Sequence, residues 1–224
     1  MRARFLSAAT RAPALNLALD AALLEGRAKP TIRLYRWAPT GLSLGRFQPR
    51  EEIEPLRANL GPHELVRRST GGRAIWHDAR ELTFAYVVPA PPRGENVLAS
   101  FERVHRAILE CLSIPGLRFV RDEPALCSDR AGSPWCFERA TELCLALDGR
   151  KVLGSAQRRS RGWTLHHGSL ALPEDCLAPP ELEARLARAL AQALDCELEP
   201  GELLPAEFAH AECLRSTYAL GSTL

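Results

Sequence analysis

Lysine is almost missing from this chain. Of its 29 basic residues only Lys29 and Lys151 are lysines and the rest are arginines. A position that keeps lysine is therefore a candidate for a task a guanidinium cannot do, because only the ε-ammonium is a compact point charge with a tunable pKa. Other shortages exclude whole classes of protein. No apolar run approaches the roughly 20 residues of a membrane-spanning helix, and a net charge of +2 is far below that of a general nucleic-acid binder. Neither a membrane nor a nucleic-acid partner is expected. The 7 cysteines are an odd number and no Cys-x-x-Cys occurs, so neither a disulfide framework nor a zinc ribbon is signalled, and no metal or cofactor is expected. Reduced thiols point to the cytoplasm.

Acidic residues are absent before Asp20, whereas Arg2, Arg4 and Arg11 are present, a charge pattern shared with organelle transit peptides. Leu15, Leu19, Ala22 and Leu23 nevertheless follow a helical period behind Pro13, a favourable first-turn residue, so folded structure is expected to begin almost at once.

With 224 residues, 46% of them hydrophobic, the chain can bury a substantial core as one domain spanning 1–224. Residues 31–37 and 42–47 are β-rich runs split by Ala38-Pro39-Thr40-Gly41, a turn signal. A short helix is expected over 51–58, then strands over 64–68 and 82–88 on either side of a glycine pair. The spacing predicts a helix over 96–112 with Val97, Phe101, Val104, Ile108 and Cys111 on one face. Strands over 141–147 and 150–157 are separated by Asp148-Gly149, a hairpin signal, and 163–172 pairs back across a turn at 158–162. The last 45 residues are expected to be mainly helical, with Leu182, Leu186, Ala189, Leu190 and Ala193 in one stripe. The loop 89–94 resembles a linker, but β-rich runs on both sides make it a connection within one domain.

A two-residue hairpin turn sets Leu147 against Arg150 and Ala146 against Lys151, and alternation then puts Lys151, Leu153 and Ser155 on one face with Cys144 and Ala146. An ammonium among small and apolar neighbours either snorkels outward or serves a pocket, and the small side chains of Gly154-Ser155-Ala156 would let a ligand approach the backbone. Three further segments carry possible chemistry. Arg67-Arg68-Ser69-Thr70-Gly71-Gly72-Arg73 sets two unhindered residues between strands, either as a simple turn or as N–H donors for a carbonyl oxygen, carboxylate or phosphate. His166 and His167 fall on opposite strand faces, the wrong arrangement for holding one metal together; one is expected inward and hydrogen-bonded, the other solvated. Cys136, in Pro134-Trp135-Cys136-Phe137, is either a small core hydrophobe or a nucleophile.

Together these segments resemble the biotin/lipoate protein ligase family, the lipoate ligases and octanoyltransferases. The matching stretches, in the family's order, are Asn16-Leu17-Ala18-Leu19-Asp20, IRLYRWAPTGLSLGRFQ at 32–48, RRSTGGRAIWHD at 67–78, GRKVLGSAQ at 149–157 and HHGSL at 166–170. The resemblance implies an α+β fold of the class II aminoacyl-tRNA synthetase and biotin synthetase type, a central, mostly antiparallel sheet flanked by helices. It implies that Lys151 orients an acyl carbonyl, with Arg68, Thr70, Gly71, Gly72, His77, Gly154, Ser155, Ala156, His167 and Gly168 around the ligand.

Within the family, lipoate ligases usually carry Gly-Asn after the His-Asp pair, whereas His77-Asp78 is followed here by Ala79-Arg80-Glu81-Leu82-Thr83, similar to the cysteine-dependent octanoyltransferases. Those enzymes carry a Cys-Phe pair upstream of the lysine motif, and Cys136-Phe137 matches it at a fitting separation; between the two motifs they tend to have Tyr-Glu where this chain has Leu143-Cys144. The resemblance thus implies transfer of an octanoyl (or lipoyl) group from acyl carrier protein to a lysine of a lipoyl domain or glycine-cleavage H protein, with Cys136 and Lys151 catalytic. The competing expectations are an ATP-dependent lipoate ligase working without the C-terminal accessory domain many ligases carry or with a separate partner chain, and a non-catalytic acyl-protein binding or amidotransferase accessory module. Arg158, Arg159 and Arg161, expected in the turn after the lysine strand, are either a solvated face or a dock for an acidic carrier protein.

Overall fold

A computed structural model describes residues 1–57, 59–91, 95–123, 132–173 and 176–223. Residue 58, the end of the expected short helix, and residues 92–94 of the expected linker lie outside them. The chain begins with a strand that sequence periodicity does not announce, β1 (Arg2–Arg11), followed by α1 (Pro13–Gly26). Next come β2 (Thr31–Trp37), β3 (Gly41–Leu44), the one-turn α2 (Glu54–Arg57), β4 (His63–Arg67), β5 (Ile75–His77) and β6 (Leu82–Pro89). The second half holds α3 (Val97–Leu112), β7 (Arg118–Phe119), β8 (Leu145–Leu147), β9 (Arg150–Ser160), β10 (Trp163–Leu170), α4 (Pro179–Leu194), β11 (Glu197–Pro200), α5 (Pro205–Tyr218) and β12 (Ala219–Thr223).

The large sheet runs in the order β11-β1-β2-β6-β10-β9-β8-β7, and a second sheet in the order β12-β4-β3-β5. In the large sheet β11–β1 and β1–β2 are parallel and the remaining neighbours antiparallel. β6 sits near its middle and reads Leu-Thr-Phe-Ala-Tyr-Val-Val, buried throughout, because helices cover both faces. Phe84 and Tyr86 face the layer of α3 and α4, while Ala85 and Val87 face α1 and α5. The stripe expected on α4 is the buried one. α1 is apolar on nearly every side and correspondingly buried, with Asn16 and Asp20 held by Arg33 of β2. Among the described residues no helix is long and apolar enough to cross a membrane.

The face of α3 differs from expectation. Ser100, Val104, His105, Ala107, Ile108 and Leu112 are buried, whereas Val97 is exposed and, with Phe101, turns toward a cavity. The expected strand over 141–147 is regular only in β8, because the chain before it folds into a turn in which the Cys144 N–H donates to the Thr141 carbonyl.

Candidate active site

The hairpin carrying Lys151 is built as its turn predicts. Asp148 and Gly149 both have positive φ, 50° and 72°, the conformation a two-residue turn needs, and Ala146 faces Lys151 as Leu147 faces Arg150. The facing then changes. Ala146 pairs with Lys151 but Leu145 with Leu153, so Val152 is an extra residue, a β-bulge. Lys151 therefore shares a face with Gly154 rather than with Leu153 and Ser155, a correction to the simple alternation. A Cβ at Gly154 would stand 2.8 Å from Lys151 Cε and 3.8 Å from Cys136 Sγ. Gly154 thus leaves room for the lysine's own side chain.

Lys151 is buried, and its Nζ lies 3.4 Å from Cys136 Sγ and 2.9 Å from the carbonyl oxygens of both Cys136 and Arg139. These contacts among the described residues hold the ammonium in place, and a planar guanidinium would not reproduce that arrangement. The cysteine is held by its backbone. Its N–H donates to the Ala74 carbonyl, and the Ala74 N–H donates to the Pro134 carbonyl, strapping the loop of Cys136 onto the chain leading into β5.

Cys136 borders a cavity of about 260 Å³ that also reaches Gly71, Gly72, His77, Gly154 and His167. Beyond Leu153, β9 pairs only with β10 among the described residues, and both of its faces contribute, Gly154 and Ala156 on one and Ser155 and Gln157 on the other.

Arg68 borders the cavity with Gly71 and Gly72 and holds their turn together. Arg68 is buried and gives its guanidinium N–H groups to the carbonyls of Ser43, Gly71 and Arg73 and to Ser43 Oγ, at 2.7 to 3.2 Å. Burial pulls its pKa down to about 10, against the pull of nearby Cys136, Glu81 and Tyr35. It clamps the turn rather than offering donors to a ligand. Gly72 has φ 98°, and its carbonyl oxygen would lie 1.9 Å from a Cβ at Gly45, so both positions require glycine. Among the described residues no hydrogen bond engages the N–H of Gly71 or Gly72.

His77 belongs to a braced wall. Its Nδ1 is 2.7 Å from Glu81 Oε1 and its Nε2 2.7 Å from Ser43 Oγ, while its ring stacks on Trp37 at 3.8 Å. Trp37 Nε1–H donates to Thr83 Oγ1, which donates to Glu81 Oε1. Neither His166 nor His167 is solvated, contrary to expectation, because helices cover both faces of β10. His167 Nε2 is 2.6 Å from Thr70 Oγ1 and its Nδ1 3.5 Å from Asp20 Oδ2, tying the turn to α1. Burial pushes the Asp20 carboxyl up, but Arg33 at 2.6 Å and the contact with His167 outweigh it and hold the carboxyl below its ordinary range. His166 is buried among Phe84, Tyr86 and Phe101, both ring nitrogens lack a partner among the described residues, and burial holds it neutral. Gly168 accommodates protein too, since a Cβ there would meet Phe84 Cζ at 2.5 Å and Ser155 Oγ at 2.6 Å.

Sequence reading missed His105, whose Nε2 lies 2.7 Å from Ser155 Oγ and whose Nδ1 bonds the Leu143 carbonyl. The available signal was a histidine beside Val104 on the apolar side of α3. The arginines expected in one turn are split: Arg158 and Arg159 belong to β9, and only Arg161, with Gly162, forms the positive-φ turn.

The lipoyl protein ligase A/B catalytic domain family matches residues 12–192. Octanoyltransferase LipM of Macrococcus caseolyticus is 38% identical over 178 residues, covering 74% of this chain and 64% of its own. Octanoyltransferase LipM of an Exiguobacterium species is 39% identical over 199 residues, covering 79% and 70%. The chain thus spans about two thirds of the length of these curated relatives. In fold it is similar to protein Ta0514 of T. acidophilum, solved with bound lipoic acid, at a TM-score of 0.75 and 21% identity over 97% of this chain and 96% of the other.

Proposed function

Because the chain belongs to the lipoyl protein ligase A/B catalytic-domain family, we propose that it is a protein octanoyltransferase that works through an acyl-enzyme on Cys136. The observation that carries this reading is the 3.4 Å approach of Lys151 Nζ to Cys136 Sγ at the cavity. A thiolate is the nucleophilic form of cysteine, and an adjacent fixed ammonium stabilises it. Relatives named octanoyltransferase, at 34 to 39% identity, support the same reaction.

In the first half-reaction the Cys136 sulfur attacks the carbonyl carbon of an octanoyl thioester. The carbon–sulfur bond to the donor breaks, and the departing thiolate receives the proton that Cys136 gave up. In the second, the neutral amine of an acceptor lysine attacks the Cys136 thioester, an amide forms, and the surplus amine proton returns to the released cysteine sulfur. Exchange between thioesters is nearly isoenergetic and aminolysis is downhill, so neither step needs ATP. The task is kinetic: the N–H groups of Gly71 and Gly72 stabilise the oxyanion, at roughly 3 kcal/mol for a well-placed donor, while the Lys151 ammonium behind Cys136 acts through its charge.

The remaining site residues divide by role. Arg68, Thr70, His77 and His167 hold the walls, while Gly154, Ser155, Ala156 and Gly168 shape the strand edge that meets the acyl group. At about 260 Å³ the cavity falls just below the range of roughly 300–1,000 Å³ usual for ligand pockets, a size suited to one slender chain held at roughly 0.8 kcal/mol per buried methylene. Acyl carrier protein is the proposed donor, a lipoyl domain or glycine-cleavage H protein the acceptor, and the cytoplasm the compartment. The test is transfer from octanoyl carrier protein to a lipoyl domain in nucleotide-free buffer. Transfer at full rate supports the reading; strict dependence on ATP with free octanoate or lipoate overturns it in favour of a ligase.

A further inference from the structure

A neutral imidazole has one N–H, and which nitrogen carries it follows from what the other atoms can do. His105 Nδ1 faces the Leu143 carbonyl, which can only accept, so Nδ1 is the donor. Nε2 is then a bare acceptor, and at 2.7 Å from Ser155 Oγ it must receive the serine's hydroxyl proton. This assignment holds for a neutral His105, and the surroundings keep it neutral. It is 1% exposed, burial pulls its pKa down to about 4, and the nearby Lys151 charge acts in the same direction, against the Leu143 hydrogen bond.

The consequence falls on Ser155, which borders the cavity. Its proton is committed to His105, and among the described residues His105 is its one hydrogen-bond partner. Only oxygen lone pairs remain to meet a ligand. The missing side chain at Gly168 leaves the oxygen unshielded, since a Cβ there would stand 2.6 Å from it. Two other polar side chains around the cavity are already engaged: Gln157 Nε2 donates to Ser100 Oγ, its Oε1 accepts from Arg159, and Ser43 Oγ lies between His77 and Arg68.

We propose that Ser155 Oγ, oriented by His105, is a subsite that accepts a hydrogen bond from an N–H of the reacting partner. An octanoyl chain has no N–H, so this subsite reads what the acyl group is attached to or moving toward. The donor is either an amide N–H of the thioester arm or the amine N–H of the incoming lysine. The inference rests on the acyl-transfer reading of the same cavity.

The first measurement reads the wild-type site directly. Two-bond proton–nitrogen correlations of the histidine rings at pH 7, with His105 assigned from the signals lost in His105→Gln, should show the Nδ1–H form with Nε2 unprotonated. An Nε2–H form would make Ser155 a donor into the cavity and overturn the proposal. The second compares wild type with Ser155→Ala in separate single-turnover reactions: acylation of Cys136 by octanoyl pantetheine, and release of the octanoyl group to a lipoyl-domain lysine. A slowing of about 10-fold, the scale of one hydrogen bond, in the first identifies the arm amide, in the second the lysine amine, and in both an N–H at each stage. Unchanged rates in both overturn the proposal. If wild type forms no octanoyl adduct, the functional reading fails, and the tautomer still decides the state of Ser155.

Discussion

Two regions bordering the same cavity use their polar atoms in opposite ways. The wall of Trp37, Ser43, Arg68, His77 and Thr83, backed by Glu81, turns its hydrogen bonds inward on itself, and Glu81 Oε2 is its one buried side-chain atom left without a partner among the described residues. The edge of Cys136 and Ser155, backed by Lys151, keeps a sulfur and an oxygen toward the cavity, alongside the N–H groups of Gly71 and Gly72. A satisfied buried network makes a rigid surface with little left to offer a substrate; open valence next to a fixed charge makes a reaction possible. The charged residues of the RRSTGG and His-Asp motifs therefore serve mainly as scaffold, and the proposed mechanism concentrates the chemistry where β9 meets the cysteine loop.

Lys151→Arg is expected to break the edge most severely. It keeps the charge but cannot reproduce the approach to the sulfur and two carbonyls, so transfer should fall about 100- to 1,000-fold, as for loss of one oxyanion donor, with the urea midpoint little changed. Lys29→Arg is the internal control and should be silent, because Lys29 lies at the polar exit of α1. Equal activity of the two variants would reduce Lys151 to an ordinary hairpin lysine.

Acid should reveal the buried histidines. His105 has a folded-state pKa of about 4 against an ordinary 6.5, so between those values the unfolded chain binds a proton that the native protein refuses. Its contribution is complete above pH 6.5 and drains away as pH falls toward 4, by about 3 kcal/mol at most. His166 acts in the same direction. Urea midpoints at pH 7 and pH 4.5 measure the loss, and His105→Gln should flatten it.

On the wall, Thr83→Val removes the acceptor of the Trp37 indole and a donor to Glu81. It should cost about 2 kcal/mol of stability while changing transfer per folded molecule less than about 3-fold. A large rate loss at unchanged stability would mean that the wall takes part in chemistry. The smallest free-energy change is expected at Gly154→Ala, where a methyl 2.8 Å from Lys151 Cε displaces a flexible side chain rather than deleting it. Transfer should drop about 10-fold, the equivalent of about 1.4 kcal/mol.

Much of this arrangement was legible in the sequence where local chemistry dictates structure. Asp148-Gly149 announced the hairpin, the Leu182 to Ala193 stripe the buried face of α4, and the five ordered motifs the family. What was lost depended on tertiary context. β1 carries arginines at every second position from Arg2 to Arg4 and an alanine pair, so its strand character comes from pairing with β2 and β11. The bulge at Val152 has no sequence signature, yet it decides that Lys151 faces Gly154. Gly154 and Gly168 border the cavity, and each also makes room for a protein side chain that the sequence did not reveal, Lys151 in one case and Phe84 in the other. His105 could not be distinguished from a core histidine until its two partners, distant in sequence, were seen.

The measurement that tests the central claim most directly is the intact mass of the protein after mixing with octanoyl carrier protein in nucleotide-free buffer, alongside Cys136→Ala. The account predicts one added octanoyl group on the wild type, its release on addition of a lipoyl domain, and no adduct on the alanine variant. An alanine variant that still transfers octanoyl groups at near wild-type rate would contradict it.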